Sequence, residues 1–458
     1  MARAHGPGAR TLPWRIGVLV SASMPRWSVL LLYNLAVPWF FLLALPGWLV
    51  KMARRGGYGT GLLERIGIYR RPKGEEPRGV VAVQAVSVGE VGIATKLIRA
   101  WRKREPARCF LLAVGTATGR GMAETLEKEG VRVVYAPLDL PGLGGRFLKR
   151  FSPEQVVLIE SEIWPNLLAS ARRRGIPVRL ANARLSPRSE RRYRMAAGLV
   201  APLLGMIDRL GAQEPEDRTR WAGIGIDETR ITVTGSVKFD PAEAKTPARR
   251  AEFAAMIDAF GAGRPVVLAA STHAGEEAWI AKAVRAAAPG ALCVLVPRHA
   301  ERRQEVRTSL EAAGFEVVLR SDFRKPDDPA RACLVVDSTG ELRDWTAHAV
   351  LVVVGKSILG RGGQNPAEAV LAGIPFACGP HMTNFRPLID RIINRGGCFV
   401  VETTESLGGA VRTALAGGEN IGKMTQTARE VLTAHTGATK RTIEMLETRS
   451  SETIQNRP

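Results

Sequence analysis

Cysteine is scarce and unpatterned in this chain of 458 residues: Cys109, Cys293, Cys333, Cys378 and Cys398 are odd in number, far apart and set mostly within apolar runs. No Cys-x-x-Cys pair and no His-x-x-x-His spacing occurs, which argues against a disulfide framework and a structural zinc site. The five read as reduced core residues, which suits a fold kept in a reducing cytoplasm. Asp-x-Asp is missing too and the six histidines are scattered, so neither a metal ion nor a cofactor is expected. Negative charge is in short supply: 44 Asp and Glu stand against 65 Lys and Arg, giving a formal charge of +21 and a pI near 10.5. Such a chain attracts polyanions, whether nucleic acid, an anionic membrane or phosphorylated substrates, and charge alone does not choose among them.

What is present is the composition of a globular α/β protein, 45% hydrophobic and 24% charged, in a chain long enough for two domains. The clearest topological signal is at the N-terminus. After a basic extension over 1–26, no charged residue occurs between Arg26 and Lys51, and positions 27–50 are mainly Leu, Val, Ala, Phe and Trp. Roughly 20 apolar residues suffice for a membrane-crossing helix, and Trp39 and Trp48 would suit an interfacial belt. The expectation is a single membrane anchor over 27–50; a hairpin or an interfacial helix is the alternative. Arginines and lysines are denser after the segment than before it, which places the body of the protein in the cytoplasm.

Short Val/Ile/Leu-rich runs then alternate with longer amphipathic stretches, the rhythm of parallel strands buried on both faces. Strands are expected over 80–86, 109–114, 131–136, 155–160, 178–181 and 231–234, and again over 266–270, 291–296, 315–319, 333–336, 350–355, 376–378 and 398–401. The pattern predicts two Rossmann-like domains facing a cleft, over 51–240 and 241–422, joined by a Pro- and Ala-rich linker at 240–247, with a long polar helix and tail over 423–458. Ligands in such folds sit beyond the carboxyl ends of strands, so loops that follow strands hold the candidate chemistry.

Six loops stand out. Ser87-Val88-Gly89-Glu90 closes the first strand; Glu90 reads either as a general base or as the far half of a capping box with Ser87. Glu160-Ser161-Glu162 puts two carboxylates at the end of an otherwise apolar strand, suited to a cationic reacting centre or to structural ion pairs. Lys238, in Gly235-Ser236-Val237-Lys238, would neutralise a phosphate leaving group or merely be solvated. Ser271 and Thr272 open a helix and offer hydroxyls and amides to an anion, and Pro297-Arg298 supplies a cation after the next strand. The strongest signal is Gly362-Gly363-Gln364-Asn365-Pro366-Ala367-Glu368: a glycine turn able to cradle phosphate on its amides, with Glu368 reaching ribose hydroxyls, or simply a helix start with Pro in the first turn.

Together with Glu64-Arg65-Ile66-Gly67, Pro137-Leu138-Asp139-Leu140-Pro141-Gly142, Trp164-Pro165-Asn166, Ala181-Asn182-Ala183-Arg184 and Gly379-Pro380-His381, these segments resemble, in order and over nearly all of the chain after residue 60, the 3-deoxy-D-manno-octulosonic acid (Kdo) transferase family. That resemblance implies a glycosyltransferase-B fold and an N-terminal anchor at the bacterial inner membrane, with the catalytic domains cytoplasmic. It implies transfer of Kdo from CMP-Kdo to lipid IVA, a phosphorylated lipid A precursor, in lipopolysaccharide core biosynthesis. It also implies Glu90 as the base, Glu160 and Lys238 as transition-state stabilisers, and CMP contacts from Pro297, Arg298, Thr339, Gly340, Glu341, Asn365, Pro366, Ala367 and Glu368. The positive charge then answers to donor, acceptor phosphates and an anionic membrane, with no nucleic acid among the partners. Gln84, Gln364 and Ala367 depart from residues common in the family. Two other classes compete: a UDP-sugar transferase or epimerase of the same fold, and a non-catalytic basic membrane scaffold.

Overall fold

The computed structural model describes residues 24–55, 61–70, 79–243 and 246–448. Fourteen strands form two parallel seven-stranded sheets among the described residues. The first holds β1 (Val81–Ala85), β2 (Phe110–Val114), β3 (Arg132–Tyr135), β4 (Gln155–Ile159), β5 (Val178–Ala183), β6 (Arg209–Ala212) and β7 (Ile231–Val233), in the order β3-β2-β1-β4-β5-β6-β7. The second holds β8 (Val266–Thr272), β9 (Leu292–Pro297), β10 (Glu316–Leu319), β11 (Ala332–Val335), β12 (Ala349–Val354), β13 (Phe376–Cys378) and β14 (Phe399–Val400), ordered β10-β11-β9-β8-β12-β13-β14. Every residue of β1, β2 and β4 is buried, as strands covered by helices on both faces require. In the second sheet alternate residues of one strand feed opposite cores: Val266 and Leu268 join Phe253, Trp345 and Phe376, while Val267 and Ala269 join Ile280, Val284 and Leu407.

The strand order reverses once in each sheet, between β1 and β4 and between β8 and β12, and a crevice for ligand opens at such a point beyond the strands' carboxyl ends. The register is regular at the first, from Val81 opposite Gln155 to Gln84 opposite Leu158. At the second the chains come very close: a Cβ on Gly355 would lie 2.4 Å from the Ser271 carbonyl oxygen, so only glycine fits there.

Chain contacts divide the protein into two units, one reaching Thr234 and resuming at Arg441, the other Gly235–Lys440. The division falls six residues before position 240 because 235–240 packs within the second unit. The Ser236 amide donates to His435 Nδ1 (3.1 Å), and the Asp240 carboxylate accepts the amides of Gly437 (2.9 Å) and Thr439 (2.7 Å). In place of the one long helix expected to begin at 423, the chain forms two, Glu419–Thr433 and Ala438–Glu447, with these bonds at the break. β6 has no counterpart among the expected strands; it carries only one strongly apolar side chain, Leu210, beside Arg209 and Gly211. The final helix returns to the first sheet, where buried Arg179 of β5 donates to Gln155 and to the carbonyls of Leu446 and Thr448. The five cysteines are free, and all but Cys109 are buried.

The membrane-crossing helix expected over 27–50 is not met as such. A 30-residue helix does run Arg26–Arg55, but no helix among the described residues is long and apolar enough to cross a membrane. Its early turns are docked on the body instead. Val29 is buried, Tyr33 donates to Asp139 Oδ2 (3.0 Å) and Asn34 Oδ1 accepts from Asn166 (2.8 Å). The N-terminal extension lies almost wholly, and the tail beyond 448 entirely, outside the described residues.

Asp139 organises this corner, because its carboxylate also accepts the Asn166 and Leu167 amides, both at 3.0 Å, at the start of the helix Pro165–Arg172. Replacing Asp139 by Ala leaves those buried donors without their acceptor, and we expect a loss of about 2–4 kcal/mol. Urea unfolding of the purified variant measures it; an unchanged midpoint would contradict the role given to Asp139.

Candidate active site

Beyond the reversal point of the first sheet, β1 leads through Val86 and Ser87 into the helix Val88–Arg104, and β4 leads through Glu160 to Trp164 into the helix Pro165–Arg172. One half of the capping box expected for Ser87 and Glu90 is present, since Ser87 Oγ accepts the Glu90 amide (3.2 Å); for the other half, the Glu90 carboxylate turns back on the loop one residue earlier than the Ser87 amide. Its Oε1 accepts from Ser87 Oγ and its Oε2 from the Val86 amide, each at 2.8 Å. Glu90 is therefore buried at its own helix start, though each carboxylate oxygen can accept a second hydrogen bond.

Glu160 is held differently. Its backbone is left-handed at φ +62° with its amide on the Ala181 carbonyl (2.9 Å), a conformation that costs about 1–3 kcal/mol in a residue with a side chain. Asn182, Ser271 and Lys356 share it, so four such residues lie within or just beyond strands. Backbone strain of this kind gathers at functional sites. Glu162, two residues on, is half-buried and accepts Trp164 Nε1 at 2.7 Å. Burial raises its carboxyl above the ordinary glutamate range, the Trp164 bond opposes this, and the neighbouring Glu90 carboxylate adds to it.

At the second reversal point the buried Glu276 does for β8 and β12 what Glu90 does for β1. Its Oε2 accepts the His273 amide (2.9 Å) and the Lys356 amide (2.8 Å). Thr272 is wholly buried and donates its hydroxyl to Glu277 (2.9 Å), which is also bound by Arg302 (2.9 Å). Of the two expected donor contacts, Thr272 thus faces the protein, and Ser271 alone is half-exposed. His273 touches Gln364 (3.0 Å between Nε2 atoms), and its imidazole is pushed below the ordinary histidine range by burial and by Lys356, Arg302 and His299.

The glycine turn departs from its expected role. The Gly362 amide donates to the His381 carbonyl and the Gly363 amide to the Lys356 carbonyl, both at 2.9 Å, so these two amides clasp protein rather than phosphate. Positions 362 and 363 have φ of +115° and +73°, and a Cβ would meet Asn384 Nδ2 at 2.6 Å and Met382 Sδ at 2.2 Å. Next along, Asn365 Oδ1 accepts the Ala367 amide (3.1 Å), Pro366 is buried, and Glu368 is half-buried. Burial raises the Glu368 carboxyl, while Arg343 and Arg298 lower it, so both cations stand near it. Arg298 is exposed, its amide fixed on the Thr272 carbonyl (3.0 Å) just past buried Pro297. Thr339 and Gly340 are exposed beyond β11, and Glu341 accepts from Ser338 and Arg320.

Lys238 belongs by its contacts with the second unit. Its Nζ donates to the Asn384 carbonyl (2.6 Å) over the Phe385 ring, and the Asn384 amide donates to Gly362, so Lys238 adjoins the glycine turn. Glu90 and Glu160 gather in the first unit. Arg343, Lys356 and Glu276 were missed as site residues. For Lys356 a signal existed, since it directly follows the strand expected over 350–355; for Arg343, inside the short helix Leu342–Thr346, none did. Among the described residues no group of His, Cys, Asp and Glu is placed to hold a metal ion.

The family model for 3-deoxy-D-manno-octulosonic-acid transferase (kdotransferase) matches residues 60–241. A 3-deoxy-D-manno-octulosonic acid transferase of Bordetella pertussis is 35% identical over 414 residues, 87% of this chain and 95% of the relative. The chain belongs to the Kdo transferase family. A Haemophilus influenzae member is 32% identical over 85% of this chain and 91% of its own. A solved glycosyltransferase from Rickettsia africae, only 12% identical, matches 83% of this chain and 100% of that one with a TM-score of 0.52, a likeness of fold alone. Membership of the family makes the chain a glycosyltransferase, and its two parallel-sheet domains have the glycosyltransferase-B type of fold.

Gly363→Ala would force a methyl group into Met382 from a left-handed backbone. We expect a loss of at least about 1–2 kcal/mol with a matching fall in thermal midpoint, and a variant as stable as the parent would count against a clasp that only glycine can make.

Proposed function

We propose that this chain transfers Kdo from CMP-Kdo to a hydroxyl of lipid IVA, a phosphorylated lipid A precursor, in lipopolysaccharide core biosynthesis. The observation that carries this reading is a division of labour between the reversal points. Carboxylates Glu90, Glu160 and Glu162 follow β1 and β4, whereas the cations Arg298, Arg343 and Lys356 come after β9, β11 and β12, with Arg298 and Arg343 close enough to act on the Glu368 carboxyl. The first set suits removal of the acceptor's proton and support of a sugar carbon that gains positive charge. The second suits a nucleotide: an exposed guanidinium for the phosphate, carboxylates for ribose hydroxyls.

In this reading Glu90 deprotonates the acceptor hydroxyl through its remaining lone pairs, and Glu160, fixed by its strained backbone, stabilises the oxocarbenium-like centre. Lys238 and Arg298 answer the charge on departing CMP. Pro297, Thr339, Gly340, Glu341 and Asn365 to Glu368 shape the nucleotide site, with Ser271 at its edge. The exposed Trp27, Leu31, Leu35, Trp39 and Phe40 of the helix Arg26–Arg55 rest on the anionic surface of the bacterial inner membrane, the body remaining cytoplasmic.

Mass spectrometry of lipid products from the purified chain with CMP-Kdo and tetra-acylated precursor tests the reaction; absence of any Kdo adduct would refute it. CMP should raise the thermal midpoint more than UDP does, and a clear preference for UDP would move the chain to UDP-sugar chemistry. Arg298→Ala should raise the KM for CMP-Kdo by about tenfold or more, the worth of one charge-assisted contact, and an unaltered KM would remove Arg298 from the nucleotide site.

A further inference from the structure

The loop that carries Glu160 and Glu162 is short, and both of its ends are fixed. One end is tied to the sheet by the Glu160 amide on the Ala181 carbonyl (2.9 Å). The other is the start of the helix Pro165–Arg172, where Trp164 stands at the capping position and its side chain makes no bond to the helix amides. Asp139 caps that helix from another loop: its two carboxylate oxygens accept the Asn166 and Leu167 amides (both 3.0 Å), and its carbonyl accepts Asn166 Nδ2 (2.7 Å). Both partners in this cap are gripped in turn by the N-terminal helix. Tyr33 donates to Asp139 Oδ2 (3.0 Å), and Asn34 Oδ1 accepts from Asn166 Nδ2 (2.8 Å).

The helix Arg26–Arg55 therefore has two faces. Val29, Leu30, Tyr33, Asn34 and Val37, at helical spacing, are buried or half-buried in a stripe where the helix meets Pro165–Arg172 and Ala197–Leu204. Beyond Val37 every side chain described on this helix is exposed. Attachment to a membrane needs only the second face, whereas the polar pair on the first reaches the end of the Glu160 loop. Glu160 lies between the two fixed ends at φ +62°, and a left-handed residue with a side chain persists only where its surroundings over-determine it. Only residues 161–164 separate it from Pro165, so a shift of the helix start has little slack in which to be absorbed.

We propose that Asn34 and Tyr33 are positioning residues for transfer: the seated N-terminal helix, through Asn166 and Asp139, holds the loop 160–164 and the Glu160 carboxylate in working shape. The proposal deepens the Kdo-transfer reading and depends on it. The helix that rests on the membrane thus also sets the geometry of the acceptor side of the site. Neither residue touches the reacting atoms. Without the Asn34 contact the start of the helix Pro165–Arg172 loses one of its two outside holds, the strain at Glu160 relaxes towards an ordinary backbone, and its carboxylate leaves the sugar carbon that gains charge. The nucleotide-binding residues of the second unit are untouched, so the loss falls on the chemical step and not on donor affinity.

The test compares the full-length wild type with Asn34→Ala, Asn34→Asp and Tyr33→Phe, each checked by thermal unfolding. Three quantities are measured: Kdo transfer from CMP-Kdo to tetra-acylated lipid A precursor in detergent micelles, hydrogen exchange of the segment 159–168, and sedimentation with phosphatidylglycerol–phosphatidylethanolamine vesicles. Asn34→Ala should speed exchange in that segment and lower kcat about tenfold to a hundredfold, with the KM for CMP-Kdo changed less than about threefold. Its sedimentation with vesicles should match wild type, since the exposed face of the helix is intact. Tyr33→Phe should act in the same direction, and Asn34→Asp, which keeps an acceptor oxygen for Asn166, should recover part of the rate. An Asn34→Ala protein that keeps the wild-type kcat, whatever its exchange, refutes the positioning role and leaves the transferase reading standing. A fall in kcat found only together with lost vesicle binding makes the helix an anchor alone and refutes it as well. Should Asn34→Ala fail to fold, Tyr33→Phe decides by the same measures. If wild type transfers no Kdo at all, the functional reading fails and takes the proposal with it.

Discussion

Everything at the two sites depends on a glutamate in the first turn of a helix reaching back to bind backbone amides of a strand-end loop. Glu90 does so at the end of β1, and Glu276 does so at the end of β8, where it ties the His273 and Lys356 amides together. The need for such a staple follows from the topology. Where strand order reverses, neighbouring loops diverge to opposite faces of the sheet and leave amide groups without ladder partners. A carboxylate meets several of these at once, and each bond to a charged acceptor is stronger than one between neutral groups.

The staples also make the strained residues tolerable. Ser271 and Lys356, both left-handed, flank the amides bound by Glu276, and Gly355 between the strands has no room for a side chain. A loop so constrained presents Ser271, Lys356 and Arg298 with little freedom left to lose on binding an anion, and pre-organisation of that kind is how a site spares ligand the cost of ordering it. Glu277, beneath them, fixes both Thr272 and Arg302, so the hydroxyl read in sequence as a ligand contact is part of the supporting frame.

Much of this was legible in sequence, and the reasons for the rest are physical. Two-sided burial makes strands such as Val81–Ala85 and Gln155–Ile159 nearly continuous apolar runs, and any charged residue just beyond them stands out, as Glu160 and Arg298 do. β6 escaped because Arg209 and Gly211 interrupt so short a run. Apolarity alone overstated the N-terminal helix, since Tyr33 and Asn34 are committed to Asp139 and Asn166 in the body of the protein. Partnerships were the least legible. Glu162 feels the charge of Glu90, 72 positions earlier on the neighbouring strand's loop, and no local pattern encodes the adjacency of β1 and β4. The glycine turn looked like a phosphate cradle because its backbone shape is right, while the partners of its amides, His381 and Lys356, are set by tertiary structure.

The guanidinium of Arg179 carries a consequence for synthesis on the ribosome. Buried in β5, where loss of water lowers its affinity for its own proton, this cation is satisfied in part by the carbonyls of Leu446 and Thr448, from the last described turn of the protein. Domains generally fold as units, N-terminal first, as they emerge. Here the leading sheet waits: until translation has passed through the entire second unit, Gly235–Lys440, and delivered those two carbonyls, a charge in its interior has no complete coordination, and the first half to be made is among the last to be finished.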